Sequence, residues 1–208
     1  TPPAPNTPIE SQAATDANDK SSASGISGEI QKAMQKAKQE LASKNIDVNN
    51  INVGDSHHHD NDSRPKAEIT PQGDLLIAGK PVAATPAQHA LLLDYRTQII
   101  AIADKGMDIG TQGADLGVNA AKTAILGALT GKSDKDIDAE IKPQTDKIQA
   151  AALQLCQRLP ELLSSQQKLA AAMPEFKPYA TMQQQDVDDC SKNMTDKDGK
   201  KGTVIFSN

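Results

Sequence analysis

Between Asp134 and Leu159, apolar residues return at Ile137, Ile141, Ile148, Ala152, Leu155 and Leu159, three, four or seven positions apart. That spacing gathers them on one stripe of an α-helix and leaves Lys, Asp, Gln and Glu on the other faces. A helix with a single apolar stripe must bury it against other elements. This segment therefore commits the chain to a mostly helical, bundle-like architecture. Pro143 is expected to kink or split the pattern, because an interior proline removes a hydrogen bond and crowds the preceding turn. Pro160 is expected to open a following helix through Leu162, Leu163, Leu169 and Met173, stopped by Pro174.

Upstream, Thr85-Pro86-Ala87-Gln88 is a helix start. Thr supplies the N-cap, Pro fits the first helical position and Gln closes a capping box. Leu91, Leu92, Tyr95, Ile99 and Ile102 follow at helical spacing. Glycines then recur four apart as Gly106/Gly110, Gly113/Gly117 and Gly127/Gly131. Each costs about 1 kcal/mol relative to Ala inside a helix. The pairs therefore suggest close approach of another helix, or of a ligand, at Gly106, Gly110, Gly113 and Gly117. Asp104, Lys105, Asp108, Asp115 and Lys122 make the same stretch unsuited to lipid. Ser27 to Lys44 reads as the first helix, with Ile30, Met34 and Leu41 near one face.

Between these helices the period changes. Ile46 to Val53 alternates apolar and polar, as a strand does. Ala67-Glu68-Ile69 and Leu75-Leu76-Ile77 flank Thr70-Pro71-Gln72-Gly73-Asp74, a hairpin signature, and Gly79-Lys80-Pro81 turns the chain out of the second strand. The expected fold is α+β and mostly α: a helical bundle over 27–182 with a small antiparallel β-hairpin at about 67–82. A disordered tether, 1–26, precedes it. A polar tail, 183–208, follows, in which Thr203 to Phe206 adds an edge strand or stays loose.

The tether expectation rests on four prolines in the first eight residues and a Ser, Ala, Asp, Asn and Lys run from Ser11 to Ser24. Neither can bury enough apolar area to offset its ordering entropy. The chain starts at Thr1 rather than Met. With a Pro-rich tether, that suits an export signal cut just upstream, and in bacteria a lipid-modified Cys at the missing position; an internal linker is the plainer alternative. Hydrophobic residues are 37% of the 208 and aromatics 2%, against roughly 45–50% apolar in ordinary domains. The core must be built from Leu, Ile, Val and Ala, and no stacking platform for single strands is offered. The net charge of −5, from 27 acids and 22 bases, opposes nucleic-acid binding. No run approaches the roughly 18 apolar residues that span a bilayer.

The two cysteines, Cys156 and Cys190, have no CxxC spacing and no nearby His, so they offer no metal site. Paired, they would pin the polar tail to the helical body, worth about 3–4 kcal/mol, and would imply an oxidising compartment. Unpaired, they are two unrelated buried thiols.

Chemistry is otherwise sparse. Gly127-Ala128-Leu129-Thr130-Gly131-Lys132-Ser133 resembles a phosphate loop, but only three residues separate its glycines and the preceding run is helical. His57-His58-His59-Asp60, with Asp62, is the only metal-ligand cluster. Adjacent side chains on a loop cannot all face one ion, so a solvated loop is preferred to an adventitious zinc or copper site. Asp196, Asp198 and Gly199 are a failed calcium loop, with Met194 and Ile205 where acids belong. Gly25-Ile26-Ser27-Gly28 lacks the spacing of a nucleophile elbow. His89, in the first turn of a helix, packs or faces water. Acids such as Asp134/Asp136/Asp138 lie in solvated runs. No catalytic residue and no cofactor is assigned.

Ile69 to Ser133 resembles the YggN-like family of uncharacterised proteobacterial envelope proteins. The resemblance is carried by Ile69 through Val82, then Thr85, Gln88, Leu92 and Tyr95, then Ile102 through Ile109 and the Thr130-Gly131 break. It covers about a third of the chain. It implies an exported, often lipid-anchored protein of the periplasm, with no catalytic residues to carry over and no membrane contact beyond that anchor. Small periplasmic lipoproteins commonly serve as immunity proteins. The expected function is thus neutralisation of a secreted antibacterial effector by direct binding, which modest acidity would assist against a basic partner. The alternative is an envelope protein that binds a lipid or fatty acid along Gly106 to Gly131.

Overall fold

A computed structural model of the chain describes residues 13–49, 51 and 62–195. In order, these form α1 (Ala13–Ser43), β1 (Ile46–Asp47), β2 (Ala67–Ile69), β3 (Leu75–Ile77), β4 (Lys80–Pro81), α2 (Pro86–Thr130), α3 (Asp134–Ala172), a 3-10 turn (Lys177–Tyr179) and α4 (Gln184–Thr195). The class is α+β and mostly α, as the periodicities require.

The strands make an antiparallel meander in the order β1-β2-β3-β4. Ile46 pairs with Ile69, Ile69 with Leu75, and Ile77 with Lys80. The first hairpin turns on Pro71 and Gly73: Gly73 N–H donates to Thr70 O at 2.9 Å and Gly73 takes φ +86°. The second turns on Ala78 (φ 50°) and Gly79 (φ 74°), both left-handed, the signature of a tight turn that matches strand twist. Lys80-Pro81 is thus a fourth edge strand as well as an exit.

One face of this sheet supplies Ile46, Val48, Ala67, Ile69 and Leu75 to the core. Against it pack Leu92, Tyr95 and Ile99 of α2 and Leu159, Leu162, Leu163 and Leu169 of α3, closed over by Met173, Phe176, Tyr179, Met182 and Val187. Tyr95 meets Phe176 edge to face, with ring centroids 5.4 Å apart, so two of the few aromatics stack at one point where their area counts most.

α2 starts on the expected capping box: Gln88 N–H donates to Thr85 Oγ1 and Thr85 N–H to Gln88 Oε1. It ends at Gly131, whose left-handed φ of 73° lets its N–H reach Gly127 O. Ser133 and Asp136 then cap α3. With 45 and 39 residues, the two helices run about 67 and 58 Å. They pack along each other as an antiparallel hairpin far longer than the core. Beyond the core, from residue 103 to 151, only Ile109 and Gly127 are buried.

Four expectations need correction. α3 is continuous from Asp134 to Ala172, and Pro143 and Pro160 lie inside it. Both are exposed, on the outer side of a helix whose packed stripe carries it across the breaks in the hydrogen-bond ladder. α1 begins at Ala13, so residues 13–26 are helix rather than tether. After Pro8 nothing forbids a helix, and Ala13, Ala14, Ala17 and Ala23 favour one. The Ile46–Val53 strand is only Ile46–Asp47, with Val48 N–H bonding Ala67 O. Finally, 184–195 of the tail is α4. Residues 1–12, Thr203–Phe206 and the failed calcium loop from Asp196 lie outside the described residues.

Candidate functional site

The buried polar groups of the core end are joints rather than reactive centres. Arg96, on the core stripe between Leu92 and Ile99, is 4% exposed. It donates to Ile69 O at 2.8 Å, and to Leu41, Ala42 and Lys44 carbonyls at 3.2, 3.0 and 2.9 Å. Burial alone lowers its pKa. Gln166, fully buried, donates to Tyr95 Oη at 2.8 Å and accepts from Met182 N–H at 3.0 Å. Desolvation pushes the Tyr95 phenol up to about 12. Gln88 donates to Ala172 O at 2.7 Å and so ties the start of α2 to the end of α3.

A second joint closes the stem of the segment that joins β1 to β2. Arg64 grips Asp62 with Nε and Nη2 at 2.7 and 2.8 Å, donates to Asn49 O and Pro178 O, and lies 5.5 Å from the Tyr179 ring. Asn49 donates to Asp62 Oδ2 and accepts from Ala67 N–H. The Arg64 guanidinium holds the Asp62 carboxyl far below the usual carboxylate range.

The residues singled out by sequence fare differently. His57, His58, His59 and Asp60 lie outside the described residues, and Asp62 is committed to Arg64. Among the described residues no group of three or more His, Cys, Asp or Glu is placed to hold a metal. Cys156 and Cys190 are bonded, with Cα atoms 5.7 Å apart, and pin α4 to α3. His89 sits against the Gly73 turn with Nε2 3.4 Å from Asp74 Oδ1. The glycine expectation is corrected: a Cβ at Gly106, Gly110, Gly113 or Gly117 would meet nothing within 4 Å. No backbone of the described residues approaches there. Of the glycines in these four-residue pairs only Gly127 is tight, where a Cβ would come within 2.8 Å of Ile137 Cδ1.

What remains is the arm beyond the core. Lys38 reaches from α1 to Asp104 and Asp108 of α2 at 3.0 and 2.6 Å. Hydrogen bonds to Asp108 first, and then to Asp104, raise its pKa. α1 packs chiefly on α2, and so does α3. Two open clefts lie along α2. One, of about 770 Å³, is walled by Gln31, Lys32, Met34, Gln35, Lys36 and Lys38 of α1, and takes in Asp108 and Gln112. The other, of about 580 Å³, is walled by Gln144, Lys147, Ile148 and Gln154 of α3, and takes in Gln112, Asp115 and Asn119. Gln112 lines both, so the two clefts adjoin along an open polar trough on α2. Asp108, Gln112, Asp115 and Asn119 follow at three- and four-residue steps along one helix face.

Asp115 is the exceptional group of the floor. Its Oδ1 is shut off from solvent and has no hydrogen-bond partner among the described residues. Continuing the same steps past Lys122 leads to Leu126 and Leu129 at the end of the arm. There Ile125, Leu126 and Leu129 are 59%, 57% and 79% exposed. Sequence reasoning passed over this polar stripe because the glycines beside it drew the argument. Its signal was the helical recurrence of Asp and amide side chains.

No helix among the described residues is long and apolar enough to cross a membrane. No protein-family model matches the chain, and no curated protein or solved structure matches it either.

Proposed function

We propose that this chain is a non-enzymatic periplasmic binding protein, anchored by a lipid in its native form, that neutralises a secreted antibacterial effector by direct contact. The observation that carries the reading is the arm. About three-fifths of α2 and nearly half of α3 extend past the core, yet only Ile109 and Gly127 are buried there. They present an open polar trough and an apolar end that the fold itself does not use. Exposed surface of that kind suits a protein interface. The Cys156–Cys190 disulfide fits an oxidising compartment, and the likeness of Ile69–Ser133 to the YggN-like envelope family belongs to the same reading. The lipid-binding alternative has less support. The clefts are open and edged by amide and charged side chains, and the glycines meant to line an acyl site face empty space.

The test is co-expression with neighbouring open reading frames, followed by pull-down from the native periplasm. A stoichiometric secreted partner, toxic when expressed alone in the periplasm and harmless with this chain, is the expected result. Recovery of lipid alone would overturn the reading in favour of the alternative.

A further inference from the structure

We infer that the trough on α2 binds a short extended peptide with free ends, its α-ammonium at Asp115 and its carboxylate at Lys32 and Lys36. Such a ligand is separate from any toxin, so the site stands independently of the neutralisation reading.

Primary amides converge on the trough from three helices. Gln31, Gln35 and Gln39 come from α1, Gln112 and Asn119 from α2, and Gln144 and Gln154 from α3. None of these side chains has a hydrogen-bond partner among the described residues. A primary amide both donates and accepts, so it matches the C=O and N–H of a peptide group. An extended peptide leaves those groups free, whereas a helix has spent most of its own. Large apolar side chains on the lining are confined to Met34 and Ile148, too few to hold an acyl chain or the apolar face of a helix.

The charges set the ends. Lys38 is taken up by Asp104 and Asp108. Lys32 meets only Glu29, at 3.9 Å between exposed side chains, a contact worth little. Lys36 and Lys147 have no ion-pair partner among the described residues. That cationic excess calls for a carboxylate. The uncommitted acid of the lining is Asp115, whose Oδ1 lacks a hydrogen bond. Rotation about Asp χ2 meets only a shallow preference, so the carboxylate turns to an ammonium at little cost. Asp108, which lines the same cleft as Lys32 and Lys36, stands seven residues from Asp115, about 10.5 Å along α2. At roughly 3.3 Å per residue, an extended peptide of about four residues spans that distance end to end. Lys147, in the cleft of Asp115, offers a seat for an acidic side chain.

The probe is tetra-alanine, titrated into the ¹⁵N-labelled full chain. Two twins accompany it. One is acetylated and amidated at its ends; the other is an ω-amino acid of equal length, with methylenes in place of the peptide groups. Tetra-alanine is expected to give saturable shifts at Gln35, Gln112, Asp115 and Lys147, and each twin to bind about tenfold more weakly or worse. Asp115→Asn, which keeps the shape of the side chain, should weaken the free peptide about tenfold and leave an N-acetylated one unchanged. Lys32→Gln with Lys36→Gln should weaken the free acid and leave the C-terminal amide unchanged. Matching each variant to one end group separates contact from a structural effect, and the end-blocked twin needs no variant at all. Glu in place of the second alanine should tighten binding. The absence of saturable shifts up to about 10 mM tetra-alanine, or shifts confined to other surfaces, would overturn the inference. So would equal binding of either twin, weaker binding of the Glu peptide, or an Asp115→Asn loss that is the same for the N-acetylated peptide.

Discussion

Arg96 caps α1 from another helix: its Nη2 donates to the carbonyl of Ala42 at 3.0 Å and to those of Leu41 and Lys44 beside it. The last carbonyls of a helix lack partners within it and carry the negative end of its dipole. A buried cation ordinarily needs a carboxylate. Here it is held by helix-end carbonyls, and by Ile69 O at 2.8 Å, which ties β2 to the same point. One side chain thus sets where α1, the sheet and α2 meet, and through α1 it positions one wall of the trough.

Arg96→Met should therefore cost about 3 kcal/mol, because it strands several buried carbonyls at once. Chemical denaturation would measure the loss. Hydrogen exchange should show it concentrated in residues 30–44. Arg96→Lys, with a single ammonium in place of a fork, should recover only part. A loss below about 1 kcal/mol would mean that water satisfies these carbonyls.

Reducing Cys156–Cys190, which spans 34 residues, should lower stability by about 3–4 kcal/mol in the chain-entropy account. α4 buries little beyond Val187, so its amides should lose protection first. Cys156→Ser with Cys190→Ser should match the reduced protein. If α4 stays protected after reduction, Val187 and the Gln166–Met182 bond suffice to hold it.

Much of this fold was legible because it is written locally. The Thr85–Gln88 box, the Pro71-Gln72-Gly73 turn and the apolar stripe of Asp134–Leu159 each depend on residues within a few positions. The extent of the elements was not legible in the same way. Pro143 and Pro160 argue for breaks that tertiary packing overrides, and the Ala-rich segment from Ala13 has no apolar stripe to announce a helix. The joints were missed because each is a polar residue on an apolar stripe: Arg96 between Leu92 and Ile99, Gln166 between Leu163 and Leu169. Their partners lie 52 or more and 71 positions away for the α1 carbonyls and Tyr95, beyond any local pattern. The trough needs α1, α2 and α3 placed side by side, and no single helix reveals it.

The Asp62–Arg64 joint predicts a pH signature. Arg64 lowers the Asp62 pKa from 3.8, so the folded state favours the carboxylate. Its stabilisation is fully present above the unfolded pKa and is lost as pH falls through the lower folded value. The Tm gap between the natural chain and Asp62→Asn should hold constant above about pH 5 and narrow below about pH 4. A gap that stays constant or widens down to acid unfolding would remove the joint from the account.

Ala78 holds φ 50° at the β3–β4 turn, where an L side chain other than Asn is strained by about 1 kcal/mol. Ala78→Asn should recover about 0.5–1 kcal/mol, since Asn tolerates the first position of such a turn. Gly73→Ala should act oppositely. At φ +86° its Cβ would fall 2.5 Å from Leu93 Cγ, adding a clash to the strain. Thermal melts of the two variants should move in opposite directions.

The glycines of the arm give the sharpest contrast between pattern and structure. If Gly106, Gly110, Gly113 and Gly117 admit a close partner, Ala at any of them destabilises or displaces a ligand. With nothing within 4 Å of the added Cβ, each Gly→Ala change should instead stabilise by about 0.5–1 kcal/mol, through helix propensity and a less flexible unfolded chain. At Gly127 the gain is opposed, because Ile137 Cδ1 stands 2.8 Å from the new atom and must rotate away. The four distal changes should add, being separate sites without shared contacts. A quadruple variant that melts lower than the natural chain would restore close packing, or a ligand, to this face of α2.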